Sequence, residues 1–517
     1  MKGCKGVISA GDQLTAEAGA EIIQAGGNAF DAVIAATFMS FAASSSISSA
    51  GGGGFMMART AKSKNLVYDF FVQTPIVKRK ESEIDFYPIS VDFGDKAQEF
   101  HIGPGSVATP GNIAGLFEIH NDLGSIPMTE IMAPVLERMK KGIKLHKQTK
   151  YQIDILTPIL TKTETGKKIY RKNQDPLSIG DPFFLPQMMD VFDFLSRTGP
   201  REFYEGEIAQ TIARLCEEQG GHISYQDLKN YNVMKRKPLA FSFRNAKVFT
   251  NPPPNSGGSL IAFLLKIVEK VVLKKGDFGK VKHLQTITEA IRLTDLTRKE
   301  KIKNHGIQEI QDLLFDNEYL KTVQQTFLKA LHKSGNTTHV SVIDQKGNVA
   351  SCTTSVGEGC GHFIPGTDIM LNNMLGEEDL NRHGFHNWKT DQRMSSMMSP
   401  TIVMKQNGEL MGLGSGGSNR IRSAISQAIL NYIDFQLPYD EIVNNPRIHL
   451  ENDHLDIEPG FSMEELDKLM LPPGAEKFYW KDQNMYFGGV HAVFQDAKGG
   501  LAGAGDRRRV GHVINVY

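Results

Sequence analysis

Apolar positions recur first at helical spacing. Leu14 to Gln24 reads as a helix stopped by Gly26 and Gly27, and Ala29 opens a second, more apolar helix. The period then shortens. After Gly51 to Gly54, the segments FMMART and LVYDFF read as two strands around a lysine-bearing turn. Four glycines against a strand predict close backbone approach, to a neighbouring strand or to a ligand. The segment NPPPNSGG, Asn251 to Gly258, reads as a rigid loop, because proline continues neither a helix nor a central strand. From Leu284 to about Ala330 the helical spacing returns without a proline. It breaks at the polar segment Lys333-Ser334-Gly335-Asn336, which leads into TTHVSVIDQKGNVASCTTS. There Val340 and Val342 alternate with polar residues, Asp344 to Asn348 supplies a turn, and Val349 to Thr353 returns as a second strand. Thr337 thus sits at the leading end of a predicted β-hairpin.

Composition narrows the class. The 517 residues are 40% hydrophobic, enough to bury roughly three quarters of the extended surface without disulfide or metal staples. Lys and Arg number 58 and so do Asp and Glu, which leaves no basic footprint for nucleic acid or an anionic membrane. The basic run from Arg298 to Lys303 is interrupted by Glu300 and reads as a solvated helix face. Four cysteines with no CxxC pair are not a disulfide framework, and Cys352, Cys360 and His362 lack a second metal knuckle, so they are not read as a metal site. The uncharged stretch from Ala32 to Ala58 is apolar only as far as Ala43, which predicts a buried helix and no membrane span. The first residues carry no apolar leader, so the chain as written reads as cytoplasmic, or as periplasmic or secreted if a leader has been removed.

Gly412 to Gly417, GLGSGG, matches the dinucleotide pattern GxGxxG, and Asp434 follows about twenty residues later. Ile421 to Asp434 reads as one helix, however, with no second strand to carry the acid. What survives is mechanical: consecutive N–H groups at a glycine turn entering a helix make an anion or oxyanion site. Nucleophile candidates are Thr337, Ser355, Cys352 and the pair Ser395 and Ser396, none of them in a GxSxG elbow.

The order of motifs resembles the γ-glutamyltranspeptidase family of N-terminal-nucleophile hydrolases. It runs through LTAEAGAEIIQAGGNAFDAVIAA, SSAGGGGFMM, GSVATPGNIAGL, FYEGEIAQTIA, NPPPNSGGSL, NTTHVSVIDQKGNVAS, MLNNM, SSMMSPTIV, GSGGSNRI and GDRRR, across essentially the whole chain. The resemblance implies a four-layer αββα sandwich, an α/β (α+β) fold, and no metal or other cofactor. It implies a precursor that cuts itself between Asn336 and Thr337 into a large chain, 1–336, and a small chain, 337–517, sharing one core. Thr337 would then be nucleophile and, through its freed α-amine of pKa near 7.7 to 8.0, its own base. By the same resemblance, N–H groups of Gly417 and Ser418 hold the oxyanion and Ser355, with Thr353 as the neighbouring alternative, hydrogen-bonds the nucleophile.

Several residues depart from the family pattern. An Arg that follows a DF dipeptide and grips the substrate α-carboxylate is replaced by Phe71. The positions that hold the α-amino group carry Met374 and Glu377, and Gly357 stands where an Asn is expected. The motif SSMMSPT is one residue longer than usual, which displaces Ser395 and Ser396. The leading expectation is a self-processing threonine amidase acting on γ-glutamyl compounds such as glutathione, with water or an amino compound as acceptor. The alternatives are a related acylase for a different acyl group, and an unprocessed pseudoenzyme that binds a metabolite or partner.

Overall fold

The computed structural model describes residues 3–92, 97–298, 337–381, 383–451, 453–471 and 474–517. Asn336, and the part of the expected helix beyond residue 298, lie outside the described residues.

The predicted hairpin forms, with strands Thr338–Asp344 and Val349–Ser355. It sits in the middle of a seven-stranded sheet, flanked by Gly6–Ala10 on one side and Gly53–Arg59 on the other. Asn65–Phe70 pairs next along. A second sheet of six strands centres on the hairpin Thr401–Lys405 and Leu410–Gly416, beside Gly489–Gln495. The two sheets face each other through Val7, Met57, Ile343, Val349, Ile402 and Val493. Each of these side chains contributes roughly 1.5 to 3 kcal/mol by leaving water.

Helices cover both outer faces. Gln13–Gln24 and Ala29–Ala43 pack on the first sheet, Ser256–Val268 and Arg420–Ile433 cover the second, and Val281–Thr297 packs outside them against Ser256–Val268. Every residue of Ala29–Ala43 is buried, as the mostly apolar stretch from Ala32 predicts, and Asn28 caps it by accepting from Phe30 N and Asp31 N. The result is the expected αββα sandwich. Among the described residues no helix is long and apolar enough to cross a membrane.

Two local expectations need correcting. Of NPPPNSGG only the first five residues are loop, because Ser256, Gly257 and Gly258 already belong to the helix Ser256–Val268. Glycine there serves packing: a Cβ on Gly257 would stand 2.2 Å from the Met397 carbonyl oxygen, and one on Gly258 2.1 Å from that of Asn251. The GLGSGG glycines lie in and just beyond the antiparallel strand Leu410–Gly416, so the dinucleotide pattern is coincidental. A Cβ on Gly414 would collide with the His339 ring, and one on Gly416 would stand 2.1 Å from the Thr337 carbonyl oxygen.

Candidate active site

The floor of the site follows from strand register. Thr338 pairs with Thr354 and His339 with Thr353, so one further step places Thr337 opposite Ser355. Directly opposed residues have Cβ atoms about 4.5 to 5.5 Å apart. A hydroxyl eighteen positions along the chain is thus brought beside the candidate nucleophile, where its Oγ accepts from Gly357 N at 3.0 Å. Thr353 is engaged elsewhere, with its Oγ1 2.8 Å from His339 Nδ1. His339 Nε2 meets Ser341 Oγ at 2.9 Å, and burial holds the imidazole well below its ordinary pKa, so it stays neutral. The GGGG run sets the other flank. A Cβ on Gly52 would meet the Ser355 carbonyl oxygen at 2.2 Å, and one on Gly53 would meet Val72 N at 2.7 Å. Of the two readings of that run, close approach to neighbouring strands is the one realised.

At the end of strand Leu410–Gly416 the chain turns through Gly417, with φ of 117°, and Ser418, with φ of 48°, into the helix Arg420–Ile433. Their carbonyls accept from Arg420 N and Ile421 N. Among the described residues neither the Gly417 nor the Ser418 N–H makes a hydrogen bond. Unspent N–H donors of this kind, next to the candidate nucleophile, are what an oxyanion site uses. The Ser418 hydroxyl donates to Asp379, which also accepts from Asn419 Nδ2 at 3.2 Å.

Arg509 completes the floor. Its Nη1 donates to the Thr337 carbonyl oxygen at 2.9 Å, and burial draws its pKa down to about 10. The loop carrying it is pinned by a buried ionic lattice: Arg447 and Arg508 flank Asp506, and Arg508 also pairs with Glu458. Arg509 and Asp379 are absent from the candidates that the sequence provides. The signals for them were GDRRR and the acidic run GEEDL.

Phe71, Met374, Glu377, Asp379, Leu380, Ser396, Met397, Met398, Ser418 and Ile421 enclose the cleft above Thr337, Ser355 and Gly357, leaving a cavity of about 50 Å³. Phe71 stacks on Phe55 with ring centres 5.3 Å apart. Glu377 lies beside Glu358 and Asn373, and its Oε1, turned into buried space, makes no close hydrogen bond among the described residues. Burial, reinforced by the charge of Asp379, raises its pKa above the usual carboxylate range. The space expected to hold an Asn side chain at position 357 is already filled: a Cβ on Gly357 would stand 2.1 Å from Asn373 Oδ1 and 2.9 Å from Glu377 Oε1. Asn373 Oδ1 accepts from Glu358 N and Gly359 N. Of the two serines, Ser396 reaches the cleft, with its Oγ accepting from Met398 N, whereas Ser395 is not among the described residues lining it. The extra residue in SSMMSPT puts both Met397 and Met398 in the wall.

A two-sheet sandwich with a threonine leading a central hairpin is the architecture of N-terminal-nucleophile hydrolases. Cephalosporin acylase from Bacillus halodurans shares the fold with a TM-score of 0.84 at 21% identity, over 99% of this chain and 96% of that one. The sequence profile described as gamma-glutamyltranspeptidase matches residues 15–516, and the chain belongs to that enzyme family. Similar relatives include the glutathione hydrolase proenzyme of Escherichia coli K12, 28% identical over 99% of this chain and 92% of its own length. The capsule biosynthesis protein CapD proenzyme of Bacillus anthracis is 28% identical over 99% and 90%. The acylase ACY 1 proenzyme of a Pseudomonas species, strain V22, is 25% identical over 99% and 94%.

Proposed function

We propose that this chain is a proenzyme that cuts itself between Asn336 and Thr337 and then works as a threonine amidase. The observation that carries the reading is the register that sets Thr337 against Ser355 on the floor of the cleft, beside the unspent N–H groups of Gly417 and Ser418. In the precursor, the Thr337 hydroxyl attacks the Asn336 carbonyl, the peptide C–N bond breaks, and water opens the resulting ester. In the mature enzyme the α-amine of Thr337 takes the hydroxyl proton while Oγ1 attacks the substrate amide carbon. Gly417 and Ser418 N–H groups hold the developing oxyanion, and the proton passes to the leaving amine as the C–N bond breaks. Water, or an amino compound, then takes the acyl group from Thr337.

This is the chemistry by which γ-glutamyl groups of glutathione-like compounds are hydrolysed or transferred, and glutathione is the reference substrate. Phe71 favours the second reading, an acylase for a different acyl group, because an aromatic ring offers no charge to an α-carboxylate. Mass analysis tests the shared core of both. An intact 57.2 kDa chain defeats it, and fragments of 336 and 181 residues support it.

A further inference from the structure

Among the described residues, the arginines around the cleft are engaged by protein groups. Arg393 lies behind Phe71, donating to the Phe71 carbonyl oxygen, to Tyr231 Oη and, at 2.6 Å, to the Asn232 carbonyl oxygen. It stacks on Tyr231 and faces Asp69 at 3.7 Å. Arg420 donates to the Tyr486 carbonyl oxygen, Arg422 pairs with Asp295 at 2.9 Å, and Arg509 holds Thr337. Among the described residues lining the cleft there is no Lys, Arg or His. The same lining contains two carboxylates. Among the described residues Asp379 is occupied by Ser418 and Asn419, whereas Glu377, beside Glu358 and Asn373, keeps Oε1 buried without a close hydrogen bond.

A substrate carboxylate placed here would lose its water, find no cation and face two acids. An ammonium group would meet Glu377. Resting on the threonine-amidase reading, we propose that the preferred acyl group carries an ammonium and no carboxylate, a short ω-aminoacyl group of which 4-aminobutanoyl is the simplest. It is the γ-glutamyl group with its α-carboxylate replaced by hydrogen. Its methylene chain lies against Phe71 and the methionines Met374, Met397 and Met398, whose flexible thioethers fit an unbranched chain. A purely apolar acyl group would leave Glu377 Oε1 orphaned, which is why the amine is part of the inference.

Four p-nitroanilides, assayed with the full self-processed protein, decide it: 4-aminobutanoyl, γ-glutamyl, butanoyl and glutaryl. The expected result is the highest kcat/KM for 4-aminobutanoyl, with γ-glutamyl and butanoyl each at least tenfold lower and glutaryl lowest. Glu377→Gln should collapse the ratio of 4-aminobutanoyl to butanoyl, and Phe71→Arg should raise γ-glutamyl relative to 4-aminobutanoyl by tenfold or more. Processed protein that prefers γ-glutamyl or glutaryl, that treats butanoyl and 4-aminobutanoyl alike, or that turns over none of the four, overturns the inference alone. An unprocessed chain defeats the amidase reading beneath it. The wild-type panel settles the order even where Phe71→Arg does not fold.

Discussion

The floor and the end wall of the cleft are built from different materials. The floor is backbone and register: Thr337 and Ser355 are set by strand pairing, Gly417 and Ser418 by a turn only small or left-handed residues can make, and the Thr337 carbonyl by Arg509. The wall is side chain: Phe71, Met374, Met397, Met398 and Glu377, which shape the cleft without belonging to the paired strands. A fold can therefore keep one reaction and change the acyl group it accepts. Precise geometry, which the chemistry needs, is stored where substitution is most costly, and specificity where it is least costly.

The largest test of the floor is Thr337→Ala. The floor reading expects complete loss of both self-cleavage and amidase activity, with one band of full length on a denaturing gel. A variant that still splits at Asn336-Thr337 would hand the nucleophile's role to another residue. Next in size is Gly417→Ala, which forces a side chain onto a φ of 117° and puts its Cβ 3.0 Å from Gly488 Cα. A lost oxyanion donor costs about 10² to 10³ in turnover. If kcat is unchanged while only the melting temperature falls, the turn is structural. Smaller again is Arg509→Met. Removing a charge-assisted donor worth about 1.5 to 3 kcal/mol should slow self-cleavage by about ten- to a few-hundredfold, and unchanged cleavage kinetics would confine Arg509 to packing.

The same division governs what the sequence discloses. Strand period and turn residues made the Thr337 hairpin legible, and glycine runs marked the flanking strands. The sandwich came from the resemblance, with strand and helix alternation merely compatible with it. The partnership of Thr337 with Ser355 became a geometric statement only once the register was known. Arg509 and Asp379 were hidden for a different reason. Each acts across the fold, 172 residues from Thr337 for the first and 39 from Ser418 for the second, and no local period encodes such contacts. The helical start at Ser256 was missed because Gly257 and Gly258 serve packing there, against the usual reading of paired glycines as loop. Phe71, by contrast, was conspicuous because it breaks a motif.

The smallest effect concerns the histidines beneath the floor, and it separates their structural role from the chemistry above. His491 is buried and its pKa is pushed down to about 4, chiefly by desolvation, with its Nδ1 accepting from Asp506 N at 3.3 Å. Unfolded, the same imidazole titrates near 6.5. Between those values the unfolded chain binds a proton that the native state refuses, so stability rises with pH through this window and is lost as pH falls below about 6.5. At pH 5 the difference amounts to about 2 kcal/mol for this one group. His339, lowered in the same direction by the same burial, adds to it. Asp506 contributes nothing over this range, because its carboxyl, held down by Arg447 and Arg508 against burial, is ionised in both states above the ordinary carboxylate pKa. Urea midpoints for wild type and His491→Gln at pH 7 and pH 5 test the assignment. The wild type should lose stability on acidification and the variant should lose less, with the self-cleavage site unchanged. Equal acid losses in the two proteins would place the titrating group elsewhere.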